Sequence, residues 1–575
     1  MSWPATLVAQ TAQDVLPPTR EEVLRPVTPT AISRAPRIEV EGGVERAPCA
    51  LDGPDFKSIH LTLRGVEFAG LKGLTSEQMA SAYAPFLGRD VPISVVCEIR
   101  DRAGTILRNA GYIAAVQVPE QRIGDGNVRF QVLMAHMTQV RVRGDASGAE
   151  RVIAGYLNKL TQQAVFNRND AERYLLLAGD LPGYTVRLTL RPAGTVPGEV
   201  VGDVTVQRLA AYVDANVQNS GSESLGPWGA LVRGQVFGLT GLGDRTTLSL
   251  FTTSDFKEQQ TVQLGHDFRL GSEGLSAGGA FTYAWARPTI PDANVLARTL
   301  LATAEVGYPF VRRQAETIRG SAGLDFVNQD VKLDGLPLSR DRLRVGFIRL
   351  GFDSAKTDFD GSIWSAAEPP WRFNSLVEIR QGLPILGATD CGMGGVDCTA
   401  PGAISPSRLE GRADATVLRY SFNGEFRPVP RITFALGARA QYAWQPLLSF
   451  EEFSAGNYTA GRGYDPGTLL GDRGFGTQAE IRVGSRVPQS AHRPAIEGYA
   501  FWDHAMVRNL DLGGPLFPGP DQIDSVGGGA RVNFDRFVVD AAVAVPLTRV
   551  GPANERPDPR VLVSLTSRLW PWSYR

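Results

Sequence analysis

"RITFALGARAQYAW", Arg431 to Trp444, decides the fold. Ile432, Phe434, Leu436, Ala438, Tyr442 and Trp444 fall on one side of a period-two strand, and Arg431, Thr433, Gly437, Arg439 and Gln441 on the other. "TVQLGHDFRLG", Thr261 to Gly271, repeats the pattern: Val262, Leu264, Phe268 and Leu270 alternate with Thr261, Gln263, Gly265, Asp267 and Arg269. "GLSAGGAFTYAW", "GARVNF", "VVDAAVAV" and "RVLVSLTSRL" follow it. A soluble β-sandwich also alternates, but its packed core tolerates few arginines and glutamines on the minority face. A water-filled lumen hydrates them. Ten-residue segments separated by turn chemistry over residues 209–575 suit tilted strands that cross ~25–30 Å of hydrocarbon. Open edges cannot exist in lipid, so the strands must close. At roughly 22–24 residues per strand and connection, the expected fold is a membrane all-β barrel of about sixteen antiparallel strands.

The rest of the composition agrees. A chain of 575 residues exceeds one ordinary core, so more than one domain is expected. With 59 basic and 60 acidic residues there is no global field toward nucleic acid, which is not expected as a partner. No run of eighteen apolar residues occurs, which excludes transmembrane helices and leaves a barrel open. Four cysteines are too few for a disulfide scaffold and match no zinc spacing. Cys49 and Cys97 stand alone. Cys391 and Cys398, in "CGMGGVDC", close a short loop that holds a disulfide in an oxidising space, or stand as two unpaired thiols. The start, "MSWPATLVAQTAQ", is short for a signal peptide and lacks a basic n-region, so it reads as truncated or as a remnant.

Upstream of the barrel, residues 1–56 form an arm rich in Pro, Arg, Glu and Thr, in which "TREEVLRPV" can make two or three helical turns. Residues 57–136 read as a small αβ module: a strand in "IHLTLRGVEF", a helix in "TSEQMASAYAPFLG" capped by Thr75 with Gln78 as box partner, a second helix in "PISVVCEIRDRAGTILRNAG", then strands "YIAAVQV" and "NVRFQVL". Residues 137–208 repeat that order, with Asn169 and Glu172 expected as cap and box partner of the second helix. Neither module holds a phosphate loop or a titratable cluster, so binding is expected of them rather than catalysis.

Within the barrel segment, "AGRGYDPGTLLGDRG", Ala460 to Gly474, is a flexible, charged loop before the strand "TQAEIRV". Here the chain resembles the outer-membrane transporters of two-partner secretion, the haemolysin secretion and activation type, within the superfamily that includes the outer-membrane insertases. "NAGYIAAVQVPEQRIGDGNVRFQV" resembles the first periplasmic POTRA module, "FNRNDAERYLLLAGDLPG" the paired helix of the second, "GLTGLGDR" an early barrel hairpin, and "GRGY" the sixth-loop signature. The resemblance implies that this loop folds back into the lumen, with Gly461, Arg462, Gly463 and Tyr464 at its tip and Arg462 paired to Asp503 in "GYAFWDHAMV". Alternation puts Phe501 and Asp503 on one face and Trp502 on the other. Arginine and aspartate suit a bidentate pair in a partly dehydrated lumen, and the glycines permit close approach to the wall.

The implied function is export of a large unfolded exoprotein through the barrel, the client carrying an amino-terminal secretion domain that the POTRA modules recognise in the periplasm. Outer-membrane lipid and, during biogenesis, the barrel assembly machinery are the further partners; a monomer is expected. In the family an amino-terminal helix plugs the resting pore, and "TREEVLRPV" is the candidate here. Members usually end on an aromatic, whereas "VLVSLTSRLW" is followed by "PWSYR", leaving Trp570 or Tyr574 in that role. An insertase shares the loop signature but usually carries more modules; a passive porin leaves the modules without a task. An enzyme is not expected. His60, His136, His266, His492 and His504 are scattered, Asp503 and His504 face opposite sides of a strand, and no cofactor or metal site is expected.

Overall fold

Sixteen antiparallel strands, from Ala211–Gln218 to Arg560–Trp570, close into a barrel. The structure, a computed structural model, describes residues 18–24, 38–40, 49–53, 56, 58–194, 198–357, 364–365, 367–390, 398, 400, 402–488, 490, 493–510, 521–550 and 554–572. Closure pairs the first strand with the last from Val213↔Trp570 to Gln218↔Ser564. Asn216 reinforces this seam by donating to Ser564 Oγ at 2.9 Å and Thr566 Oγ1 at 2.8 Å.

The alternation sorts side chains as a lipid solvent and an aqueous lumen require. On strand Ile432–Ala443, Phe434 and Leu436 are exposed outward, whereas Thr433 and Gln441 are buried inside. Leu264 stands outward on strand Gln259–Leu270 and Thr261 inward. The first strand begins just after the second module, so odd-numbered strands rise away from the periplasmic side and even-numbered ones return. Loops at the far end are therefore extracellular.

The first module carries the sheet Gly65–Ala69, Asn127–Met134, Ala114–Gln117, and the helix Val95–Asn109. "IHLTLRGVEF" is two strands rather than one. His60–Thr62 pairs with Asp90–Pro92, and the chain then turns so that Gly65–Ala69 can run parallel to Asn127–Gln131. Thr75 and Gln78 do form a capping box. Its helix ends at Met79, however, and continues as two 3-10 turns, the second containing Pro85, which cannot donate to a helical ladder.

Cys49 and Cys97 do not stand alone. They form a disulfide, with Cα atoms 5.9 Å apart, that ties the end of the arm to the module's long helix. Of the other expected pair, Cys391 lies outside the described residues; Cys398 is bonded rather than free. Closing a loop of 48 residues constrains the unfolded chain by about 4 kcal/mol. Reduction or Cys97→Ser should therefore lower the melting temperature of the module, read by circular dichroism with and without reductant; an unchanged melt would show that the bridge carries no stability.

In the second module the helices Glu150–Thr161 and Arg168–Gly179 bury Ile153, Tyr156, Leu157, Leu160, Leu175 and Leu177 against Val186, Leu188, Val204 and Val206 of its sheet. Each fully buried aliphatic side chain contributes about 1.5–3 kcal/mol. The cap of the second helix is Asn167, whose side chain accepts from Asn169 N–H at 2.8 Å, not Asn169 with Glu172. Glu172 instead accepts from Gln314 N–H of a periplasmic turn at 2.5 Å, and so serves docking.

The sheet order of this module is Ile38–Val40, Tyr184–Pro192, Glu199–Arg208, His136–Gly144. Residues 38–40 of the arm thus occupy the edge beside Tyr184–Pro192, in parallel register Ile38↔Leu188, Glu39↔Thr189, Val40↔Leu190.

The module is fixed to the barrel rim. Asp180 accepts two bonds from Arg312 at 2.6 and 2.8 Å, and Lys159 meets Glu273 at 2.8 Å. "GLTGLGDR" is the turn between the second and third barrel strands. Its Asp244 is fully buried and accepts from Leu239 N–H, Thr240 N–H and Thr240 Oγ1 at 3.0, 2.8 and 2.6 Å. Burial pushes that carboxyl up, but these bonds outweigh it and hold it below its usual range. Gly238 begins the turn; a Cβ there would stand 3.0 Å from Gly148 Cα, so only glycine lets module and barrel meet this closely.

Candidate functional site

Between strands Ile432–Ala443 and Arg473–Gly484 the chain leaves the wall and folds into the lumen. Phe453–Ala455 pairs with Leu469–Gly471 as a hairpin, and Phe453, Ala455, Ala460, Tyr464 and Leu469 pack on Ala505, Val507 and Ile523 of the inner wall. This burial gives the loop a core of its own. The turn beyond the hairpin carries the four motif residues.

Arg462 reaches Asp503 on strand Ala495–Arg508. Its Nε lies 2.9 Å from Oδ2, its Nη2 2.6 Å from Oδ1, and its backbone N–H donates to Oδ2 at 2.9 Å. Nη1 donates to Glu480 at 2.6 Å, and the guanidinium stacks on Phe501, 3.7 Å from the ring centroid. Asp503 is fully buried and Trp502 points outward, 44 % exposed, as alternation requires. The flanking glycines permit this approach. Gly461 has φ +119°, and a Cβ there would meet Ile523 Cδ1 at 2.7 Å; one on Gly463 would meet Pro546 N at 2.9 Å. The Tyr464 hydroxyl accepts from Thr548 N–H at 2.8 Å and lies 2.8 Å from the Asp524 carbonyl oxygen, holding the tip to the next two strands.

The pair belongs to a larger network on the inner wall. Arg531 bridges Glu480, Glu497 and Asp540 at 3.0, 3.2 and 2.9 Å, and Arg482 joins Glu480 to Glu425 at 2.7 and 2.8 Å. Each carboxylate has at least one guanidinium, which is what makes so many charges tolerable away from bulk water. His504, by contrast, faces outward and meets Asp524 at 3.0 Å, separate from Asp503.

A second ion-pair cluster lies on the inner wall and the loop. Arg380, 0 % exposed, contacts Glu451 and Asp325 at 2.8 Å and Glu378 at 2.8 Å, with Arg419 on Glu451 at 3.0 Å. Into it projects Arg20 of the arm helix Arg20–Leu24, 3.3 Å from Glu451 and 3.4 Å from Asp325. Thr19 and Glu22 start this helix as a reciprocal capping box, at 2.9 and 3.2 Å. Val23 is buried among Leu301, Val327, Leu343 and Val345, and its carbonyl accepts from Gln263 at 3.3 Å. Glu21 meets Arg439 at 2.7 Å. These contacts come from the fourth (Gln259–Leu270), sixth (Ala293–Arg312), seventh (Glu316–Leu333), eighth (Leu336–Ala355) and eleventh (Ile432–Ala443) strands and from the loop, so the helix lies inside the lumen.

Neither Arg380 nor Glu451 was singled out by sequence, nor was the clamp at the loop's root. There Arg408, from the loop after the ninth strand, Trp371–Gly382, contacts Glu452 at 2.8 Å and the fully buried Asp472 at 2.6 Å. Asp472 also accepts from Leu447 N–H and Leu510 N–H, each at 2.7 Å. The one available signal was parity: Glu378 and Arg380 share the minority face of "LVEIRQ".

Comparisons with known proteins bear on the family and the fold. The family model described as haemolysin secretion/activation protein ShlB/FhaC/HecB matches residues 203–511, and a POTRA domain of the ShlB type matches residues 61–134. No curated protein sequence matches with significance. Among solved structures, CdiB from Escherichia coli aligns over 98 % of this chain and 96 % of its own, at 16 % identity and TM-score 0.73. CdiB from Acinetobacter baumannii aligns over 97 % and 96 %, at 16 % identity and TM-score 0.62. At that identity the likeness is one of fold.

Proposed function

This chain belongs to the haemolysin secretion/activation family, whose match spans more than half of it, and from that premise we propose that the structure is the resting, closed state of an exporter gated by its own arm. It is an outer-membrane transporter of two-partner secretion, with its POTRA modules in the periplasm and a secreted exoprotein as partner. The observation that carries the gating reading is the double engagement of the arm: helix Arg20–Leu24 sits in the lumen and strand Ile38–Val40 on the sheet edge of the second module.

A free sheet edge accepts an extended chain through backbone bonds, the side-chain pockets choosing the sequence. An unfolded client therefore competes with residues 38–40 for the same edge. Displacing the strand frees the tether that holds the helix, and the lumen opens to the segment already bound beside it. A cavity of about 620 Å³ lies at this entrance, lined by Tyr156, Leu177 and Asp180 of the module and by Arg245, His266, Asp267 and Arg319 of the barrel. Its mixed polar lining suits a passing chain of any sequence. The loop anchored by Arg462 and Asp503 shapes the path without filling it. The chain acts as a monomer in lipid, after insertion by the assembly machinery, and performs no catalysis; folding of the client outside drives transit.

Locking the arm tests this. Cysteines at the register partners Glu39 and Thr189 should, when oxidised, stop export and restore it on reduction, read as exoprotein in the culture supernatant. Undiminished export from the oxidised pair would sink the competition reading while leaving family membership untouched.

A further inference from the structure

The outer wall of the fifth to eighth strands, Leu275–Ala286, Ala293–Arg312, Glu316–Leu333 and Leu336–Ala355, carries a charge pattern that transport does not use. On its extracellular half, strand Leu336–Ala355 places Arg340, Arg342 and Arg344 outward on alternate residues, above the apolar Ile348 and Leu350, which are 67 % and 52 % exposed. Arg298 stands in the same row as Arg340, through Arg298↔Asp330 and Asp330↔Arg340. The neighbouring outward residues Trp285 and Tyr283 pair with Arg298 and Leu300 and form an aromatic contact, ring centroids 5.5 Å apart. Aromatics at this level mark the boundary between hydrocarbon and headgroups.

The patch is short of negative charge. Asp330 is the one carboxylate in these rows; it serves Arg340 at 3.1 Å and Arg342 at 3.0 Å. Arg298 is exposed and has no carboxylate partner among the described residues. Arg344 is only 5 % exposed, yet every acceptor it meets is neutral: the carbonyls of Val327, Leu343 and Leu386 at 2.9, 2.7 and 3.2 Å, and Asn328 Oδ1 at 3.1 Å. Its guanidinium lies flat on Phe326, 3.4 Å from the centroid. A desolvated cation without a counter-charge is costly, and its siting between apolar wall and water says where that charge comes from.

We propose that this patch binds the phosphorylated sugar headgroup of an outer-leaflet glycolipid. Two strand spacings separate Arg298 from Arg340, about 10 Å, and four residues separate Arg340 from Arg344, about 14 Å. That span takes a disaccharide with a phosphate at each end, while Ile348, Leu350 and Leu324 below it face the acyl chains. The exposed Ile385 and Leu386, in the loop against Arg344, complete the apolar margin.

The test uses the full chain in phospholipid nanodiscs, titrated with bis-phosphorylated lipid A or its dephosphorylated form and read by native mass spectrometry. The wild type should prefer the phosphorylated lipid by about tenfold, the worth of one charge-assisted contact, and R298Q/R344Q should lose that preference. Arg344 is buried and its substitution can disturb folding, so R298Q/R340Q, which alters two exposed side chains, serves as the independent variant and should lose at least half of the preference. Equal retention of the two lipids by the wild type, or full preference in R298Q/R340Q, overturns the proposal.

Discussion

Arg462→Ala is expected to cut export at least tenfold while leaving a folded, heat-modifiable barrel in the membrane. The substitution strands Asp503, fully buried, and removes one of the guanidinium partners of Glu480. Leaving a buried charge uncompensated costs about 3–5 kcal/mol, and the loop responds by letting go rather than the sixteen-strand wall by unfolding. Arg462→Lys should recover only part of the loss, because an ammonium cannot reproduce the paired bonds to Asp503 together with the contact to Glu480 and the stacking on Phe501. Asp503→Ala should resemble Arg462→Ala, and the double variant should be no worse than either, since all three break one anchor. Exoprotein in the supernatant, measured against barrel in the membrane, gives the ratio. Normal export by both single variants would remove the loop from the mechanism.

The second large effect is expected from the arm. Deleting residues 18–40 should raise the mean current through the reconstituted pore by about tenfold or more, because a closed state that dominates at rest leaves the open one a minor population of roughly 0.1–10 %. The helix is held by the buried Val23 and by Arg20 and Glu21, each meeting an oppositely charged wall or loop residue. Arg20→Ala should give an intermediate current, since Arg380 and Arg419 still neutralise Glu451. Planar-bilayer recordings of the three proteins decide it; equal currents would mean that the loop alone seals the lumen.

The barrel was legible because each of its strands lies between two solvents, so parity alone assigns a face to nearly every residue. Ile432 to Trp444 and Phe501 to Asp503 were sorted correctly by that rule. The tip contact between Arg462 and Asp503 was reached through the motif, as spacing along the chain says nothing about two residues on different strands. For the same reason the Cys49–Cys97 bridge, the Arg408 clamp and the Arg380 cluster went unread: each joins segments brought together only by closure or by module packing. Local chemistry misled in two places. Asn167 and Asn169 are equally good caps, and tertiary contact with the rim recruits Glu172 elsewhere. The single strand expected from Ile59 to Phe68 divides because its halves pair with different partners.

A two-partner secretion transporter exports a dedicated exoprotein. The direct measurement compares culture supernatant and outer-membrane protein profiles of cells with and without the chain, under conditions in which the exoprotein is expressed. The expected result is the loss of a single very large secreted protein with the membrane profile intact. Broad loss of other barrels from the membrane would contradict it and make the chain an insertase.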